Sequence, residues 1–198
     1  MRAMLVDLHT HSTASDGALE PVQLVQRAIA AGVERFAFTD HDTVAGYREL
    51  AASGYRSPPG FQLVTGVELS CRWSGTTVHI VGLGMDLENG EFRAGLETLD
   101  AARISRAESI AHKLEKAGYP GALAGALERA GSSQLGRPHF AQWLVDAGHY
   151  PDLNSAFDRF LGAGKPGDVK TFWPELAEVV DWIVSAGGEA VLAHPHKY

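Results

Sequence analysis

Five short blocks of this 198-residue chain together supply nine candidate metal-binding side chains at or near the ends of apolar runs. DLHTHSTASDG (7–17) carries His9, His11 and Asp16, and FTDHD (38–42) carries Asp40 and His41. GVELS (66–70) carries Glu68, VHIVG (78–82) carries His79, and LAHPH (192–196) carries His194 and His196. Imidazoles and carboxylates together suit first-row divalent metals, and Mn, Fe and Zn all fit such a donor set. The single cysteine, Cys71, excludes a thiolate site. The chemistry these groups could perform is hydrolysis by metal-activated water.

Each block also has a plainer reading. His9 and His11 stand two apart where a strand ends, so both rings face one way; two surface histidines in a turn is the alternative. Asp40–His41–Asp42 follows the apolar run Phe36–Phe38, and an aspartate there can simply turn the chain or cap the next helix. For Asp42 the turn or cap is the preferred reading. Glu68 lies in an apolar strand and must find a cation or donors, because an unpaired buried carboxylate is costly; an arginine partner is the alternative. His79 alone reads as a core histidine, and Asp16 in Ser-Asp-Gly as a turn residue. Five independent coincidences, all at or near strand ends, explain the pattern poorly.

The elements that must position these residues alternate. Residues 4–9 read as a buried strand. Residues 21–31 read as an amphipathic helix, with proline at its start and Gly32 past its end. Residues 34–41 form a second strand, and Thr43 can cap a helix running to about Ala52. After a breaker-rich loop (53–60) come strands at 61–70 and 76–85, joined through Ser74–Gly75. The βαβα opening points to an α/β domain with parallel strands. Residues 89–161 carry a helical pattern without a strand, including a helix at 136–148. A loop at 162–170, an amphipathic helix at 173–188 and a strand at 189–195 follow.

Composition bounds the function. Hydrophobic residues make up 45% and charged residues 21%, ordinary for a globular protein, and the net charge is −7. That charge disfavours a broad surface for duplex DNA but not a small anionic substrate, because bound cations reverse the local field. One cysteine fits a reducing compartment, and no apolar run is long enough to span a membrane, so a cytoplasmic location is expected.

The five blocks, in their order and spacing, resemble the PHP (polymerase and histidinol phosphatase) family over nearly the whole chain. GRPHFA (136–141), FLGAGKP (160–166) and LAHPHKY (192–198) resemble its stand-alone phosphoesterases, which include nucleotide phosphatases and 5′-to-3′ exoribonucleases. The resemblance implies a distorted (β/α)7 TIM-like barrel, with core 1–88 and 163–198, and a helical connection and insertion at 89–162 covering the site. It implies two to three divalent ions. His9 and His11 would bind one, Glu68 would bridge it to a second completed by His79 and His194, and Asp16 and His41 would hold a third. Asp40 would orient a ligand and belongs, with Arg137 and His139, to the catalytic set. Arg137 and His139 would face the substrate phosphate, a surface salt bridge being the alternative for Arg137. Lys170 and Lys197 are weaker phosphate-contact candidates whose preferred reading is solvated side chains. The reaction implied is attack by a hydroxide held between metals on a phosphate ester of a nucleotide or an RNA 5′ end.

The family pattern continues past LAHP to an Asp-x-His motif that supplies one ligand to the first metal and one to the third. This chain stops at Tyr198. The expectation is therefore a barrel incomplete at its C-terminus, with about five strands instead of seven, truncated or completed by self-association. Two other outcomes follow from the same residues: a catalytically impaired module that binds metal and nucleotide, or a histidinol-phosphatase-like activity. An amide or lactone hydrolase would want a mid-barrel lysine, and no lysine precedes Lys113.

Overall fold

The computed structural model describes residues 4–169 and 173–197, without the Lys197 side chain. The elements in chain order are β1 (Val6–Thr10), α1 (Pro21–Ala30), β2 (Arg35–Phe38), α2 (Ala45–Ala52), β3 (Gln62–Leu63), β4 (Gly66–Trp73), β5 (Thr76–Leu83) and α3 (Gly90–Lys116). Then come α4 (Ala122–Ala130), α5 (Arg137–Asp146), α6 (Leu153–Ala156), α7 (Leu176–Ser185) and β6 (Glu189–Leu192). They form two compact units, Met1–Leu99 with Trp173–Tyr198, and Asp100–Phe172. No helix among the described residues is long and apolar enough to cross a membrane.

In the first unit the start and stop signals act as the sequence suggests. Pro21 opens α1, and Gly32 at φ 82° closes it, with the Val33 N–H reaching the Ala28 carbonyl. The helix buries Val25 and Ala28 in a core with Val33, Phe36, Phe38, Leu50 and Phe61. β1, β2 and β3 form a parallel sheet. β4, β5 and β6 form a second sheet whose neighbours are antiparallel. An isolated parallel bridge between His41 and Glu68 joins the two sheets.

Three expectations are corrected. The run 61–70 is two strands, not one. β3 ends at Leu63 beside β2 and β4 begins at Gly66 beside β5, so the chain changes sheets across Val64–Thr65. The second half of the α/β domain is not parallel, because the Ser74–Gly75 turn, with both residues at positive φ, folds β4 and β5 into a hairpin. The 4–9 strand is not buried: Met4, Leu5 and Val6 are about half exposed, since β1 pairs only with β2 among the described residues. β6 is exposed along its whole length for a similar reason, having β5 as its one described neighbour. Among the described residues the six strands do not close into a barrel.

Helix α7 is shorter than the expected 173–188, and the Gly188 N–H reaches the Ile183 carbonyl where it ends. It approaches β5 closely at Gly82, where an added Cβ would lie 2.6 Å from Met85 Sδ and 3.0 Å from Ile183 Cγ1. The second unit is helical and packs Ile110, Leu114, Phe140, Leu144 and Leu161 into its own core.

Candidate metal centre

Glu68 is the centre of the site. It sits on β4 and is 1% exposed, and its carboxylate meets imidazoles, not the arginine that was the alternative. Oε2 lies 2.9 Å from His9 Nε2 and 3.1 Å from His11 Nε2, with His41 Nδ1 at 3.8 Å. Oε1 lies 3.0 Å from His79 Nδ1 and 2.8 Å from His194 Nε2. The two oxygens thus face different sets of rings.

The five rings close a circuit around the carboxylate. Successive centroids are 5.4 Å (His9–His11), 4.7 Å (His11–His41), 4.9 Å (His41–His79), 5.3 Å (His79–His194) and 6.1 Å (His194–His9) apart. Asp16 stands outside it, 3.6 Å from His11 Nδ1 and 3.8 Å from His41 Nε2. The backbone brings these ends together. His9 is on β1, and the His41–Glu68 bridge sets the β2 loop beside β4. His79 is on β5, and the Ala193 N–H bonds the His79 carbonyl, seating the end of β6 beside it. His194 takes a positive φ of 31°, a strained conformation of the kind that persists at functional sites.

The electrostatics favour a cation. Burial pushes the Glu68 carboxyl up, but hydrogen bonds from His11 and His79 and the charges of His41 and His79 outweigh it and hold it well below the usual carboxylate range. Burial pushes His41 down to about 4, reinforced by His79 and His11 and opposed by Glu68 and Asp16. A neutral imidazole is the form that binds metals. Burial also works to lower His11, yet Glu68, Asp16 and Asp40 carry it above its ordinary value. Nδ1 of His11 and of His41 are buried without a hydrogen-bond partner among the described residues, a cost that a bound ion would remove. Among the described residues, three overlapping groups have ligand atoms close enough to share an ion: His9–His11–Glu68, His11–Asp16–His41 and His41–Glu68–His79. The residues present fit divalent metal.

Two aspartates flank His41 and do different things. Asp40, 1% exposed, accepts hydrogen bonds of 2.7 Å from Ser12 N, Ser12 Oγ and Ser15 Oγ, so it holds the loop that carries His11 and Asp16. Gly46 lets α2 approach it, since an added Cβ would lie 2.9 Å from Asp40 Oδ2. Asp42 is 2% exposed and accepts from Ser70 on β4. Sequence reasoning missed Ser12, Ser15 and Ser70; hydroxyls within four residues of metal-type side chains were the available signal.

The second unit holds Arg137 and His139 at the start of α5. Arg137 donates to the Leu161 carbonyl, and Arg103, Arg106 and Arg137 line one small cleft with Gly136 and Phe140. Burial, only partly offset by Asp168, and the nearby Arg103 charge lower the Arg137 guanidinium from its ordinary value. A cleft of like charges suits an anion. Arg103 and Arg106 were also missed; their spacing on α3 looks like an ordinary solvated helix face. His139 Nδ1 accepts from the Gly136 N–H, which leaves Nε2 as the hydrogen-bearing nitrogen of the neutral ring. Lys170 and the Lys197 side chain lie outside the described residues.

Residues 7–190 match the PHP domain family. The chain belongs to the PHP family. It is 43% identical over 98% of its length to a 3′,5′-nucleoside bisphosphate phosphatase of Chromobacterium violaceum, covering 67% of that protein. It is 44% identical over 97% of its length to a 5′-3′ exoribonuclease of Haemophilus influenzae, covering 69% of that protein. Among solved structures, a protein of Bifidobacterium adolescentis assigned as a metal-dependent phosphoesterase is similar at a TM-score of 0.85 and 30% identity, over 98% of this chain and 68% of the other. The PHP match spans four of the five metal-type blocks completely and enters the strand that leads to the fifth.

Proposed function

We propose that this PHP-domain chain is a metal-dependent phosphoesterase that releases phosphate from a nucleotide or from the 5′ end of a short RNA. One observation carries the reading: a buried carboxylate, Glu68, encircled by five imidazoles, its two oxygens facing different rings. His9 and His11 on one side and His79 and His194 on the other would hold two ions bridged by Glu68, and Asp16 with His41 a third. Mn, Fe or Zn in such a site lowers the pKa of bound water and offsets the charge of a phosphate ester.

The chain's own side chains would do the rest. Arg137 would grip the phosphate through its planar fork. The company of Arg103 and Arg106 in one cleft supports an anion there. His139 would donate from Nε2 to a phosphate or leaving-group oxygen. Lys197 is a further phosphate contact proposed on sequence grounds. The names of the two curated relatives support a nucleotide or RNA 5′ end. A distorted (β/α)7 barrel with a helical insertion is the architecture proposed, and the parallel His41–Glu68 bridge between the end of β2 and β4 supports it.

The test is Glu68→Gln, which keeps the volume and removes the charge. Bound metal is measured by elemental analysis, and phosphate release is followed with manganese on adenosine 3′,5′-bisphosphate, mononucleotides and a 5′-phosphorylated oligoribonucleotide. The wild-type chain is expected to hold two or more ions and turn over, and the variant to lose both. Full manganese-dependent turnover in the variant would refute the assignment. Tight nucleotide binding by the wild type with no product would make the chain a binding module instead.

A further inference from the structure

We propose that Asp42 is a positioning residue that fixes His41 against Glu68, so that the two can share an ion. The inference rests on the metal-site reading of Glu68. A φ of 54° suits glycine best and is also tolerated by asparagine and aspartate, but turning the chain does not by itself require a buried carboxylate. Asp42 buries a carboxylate and turns both of its oxygens to Ser70 on another strand. Oδ1 accepts from the Ser70 N–H at 2.5 Å and Oδ2 from the Ser70 hydroxyl at 2.8 Å.

The backbone shows what this clamp holds. The Asp42 N–H donates to the Glu68 carbonyl at 2.9 Å, and the Glu68 N–H donates to the Asp40 carbonyl at 3.2 Å. Residues 40–42 therefore run alongside 67–69, with His41 opposite Glu68. These are the only sheet-type hydrogen bonds joining the two sheets at the site among the described residues. Ser70 lies two residues beyond Glu68, so both side chains leave the same face of β4. Across the hairpin Ser70 pairs with His79. Holding Ser70 thus sets the segment bearing Glu68 and, through the ladder, the one bearing His79. Asp40 performs the corresponding task in the other direction, tying His41 to the loop of His11 and Asp16 through Ser12 and Ser15. His41 is held between two staples that pull toward different ligand-bearing segments.

Three variants separate this role from bulk stability. Asp42→Gly keeps the backbone conformation and removes both acceptors. Asp42→Asn keeps one acceptor for the Ser70 N–H, and its amide can donate to the Ser70 hydroxyl. Ser70→Ala removes only the hydroxyl half. Manganese affinity is titrated calorimetrically on the metal-free proteins, well below the melting temperature measured for each. Loss of a group that orients metal ligands lowers affinity about 10- to 100-fold, which is expected for Asp42→Gly. Ser70→Ala should fall in the same direction by less, and Asp42→Asn should recover most of the wild-type affinity. Asp42→Gly or Ser70→Ala folded and binding manganese within about twofold of wild type would overturn the proposal, whatever the melting temperatures do. If Asp42→Gly does not fold, Ser70→Ala decides alone. A wild-type chain that takes up no manganese would sink the metal-site reading itself, which is a separate failure.

Discussion

Replacing Asp40 by alanine should destabilise the metal-free protein as well as weaken metal binding. Its carboxylate accepts three hydrogen bonds of 2.7 Å, one from a backbone N–H and two from hydroxyls, and all are buried. Hydrogen bonds to a charged group contribute about 1.5 to 3 kcal/mol each, so about 9 kcal/mol is the ceiling. Removing a buried carboxylate also removes its desolvation penalty, which is several kcal/mol and opposes that loss. What remains is chiefly the cost of leaving the Ser12 N–H and two hydroxyls without their acceptor, about 3 kcal/mol net. For a chain of this size that is about 6 to 12 °C in melting temperature. Asp40→Asn keeps one acceptor oxygen and should fall about half as far. The assay is thermal unfolding in chelator, followed by circular dichroism, beside a manganese titration of each variant. An Asp40→Ala protein that melts at the wild-type temperature in chelator would refute the reasoning.

Two further outcomes follow from the geometry. Arg137→Ala should raise KM for a phosphorylated substrate about 10- to 100-fold, the equivalent of one hydrogen bond to a charged group, and Arg137→Lys should restore only part of it because the planar fork is lost; steady-state kinetics with equal KM for all three would remove Arg137 from substrate binding. Burial, with Asp42 and Glu175 nearby, pushes the Cys71 thiol up to about 12. Its stabilising contribution is complete below the ordinary thiol pKa of about 8.5 and is lost as pH rises toward about 12, because only the unfolded chain ionises in between. The native thiol should therefore resist a disulfide reagent at pH 8 and react once urea unfolds the chain, and fast native labelling would contradict the burial.

Local structure was legible where local chemistry decides it. α1 starts at Pro21 and closes on Gly32, as the proline and glycine require. The Ser74–Gly75 turn was visible too, but its consequence was not, since reading 61–70 as one strand hid the switch at Val64–Thr65. Both halves of that run are apolar and β-prone, and only the partners available to each half separate them. The exposure of β1 and β6 was equally invisible strand by strand. Apolar runs predict burial only when a neighbouring layer is present to cover them.

The metal vocabulary belongs to the sequence. Histidine and carboxylate side chains recur at strand ends, and donor type alone points to first-row divalent ions, because that preference is a property of the atoms. What the sequence could not decide is which atoms meet. His194 stands 126 positions from Glu68, and the sheet brings them to 2.8 Å. Asp40 and Asp42 are the same residue type two apart in one loop, yet one ties down Ser12 and Ser15 and the other Ser70. Nothing local distinguishes them. The direction each carboxylate takes is set by the parallel bridge at His41, a pairing between segments far apart in the chain that exists only once both sheets have formed.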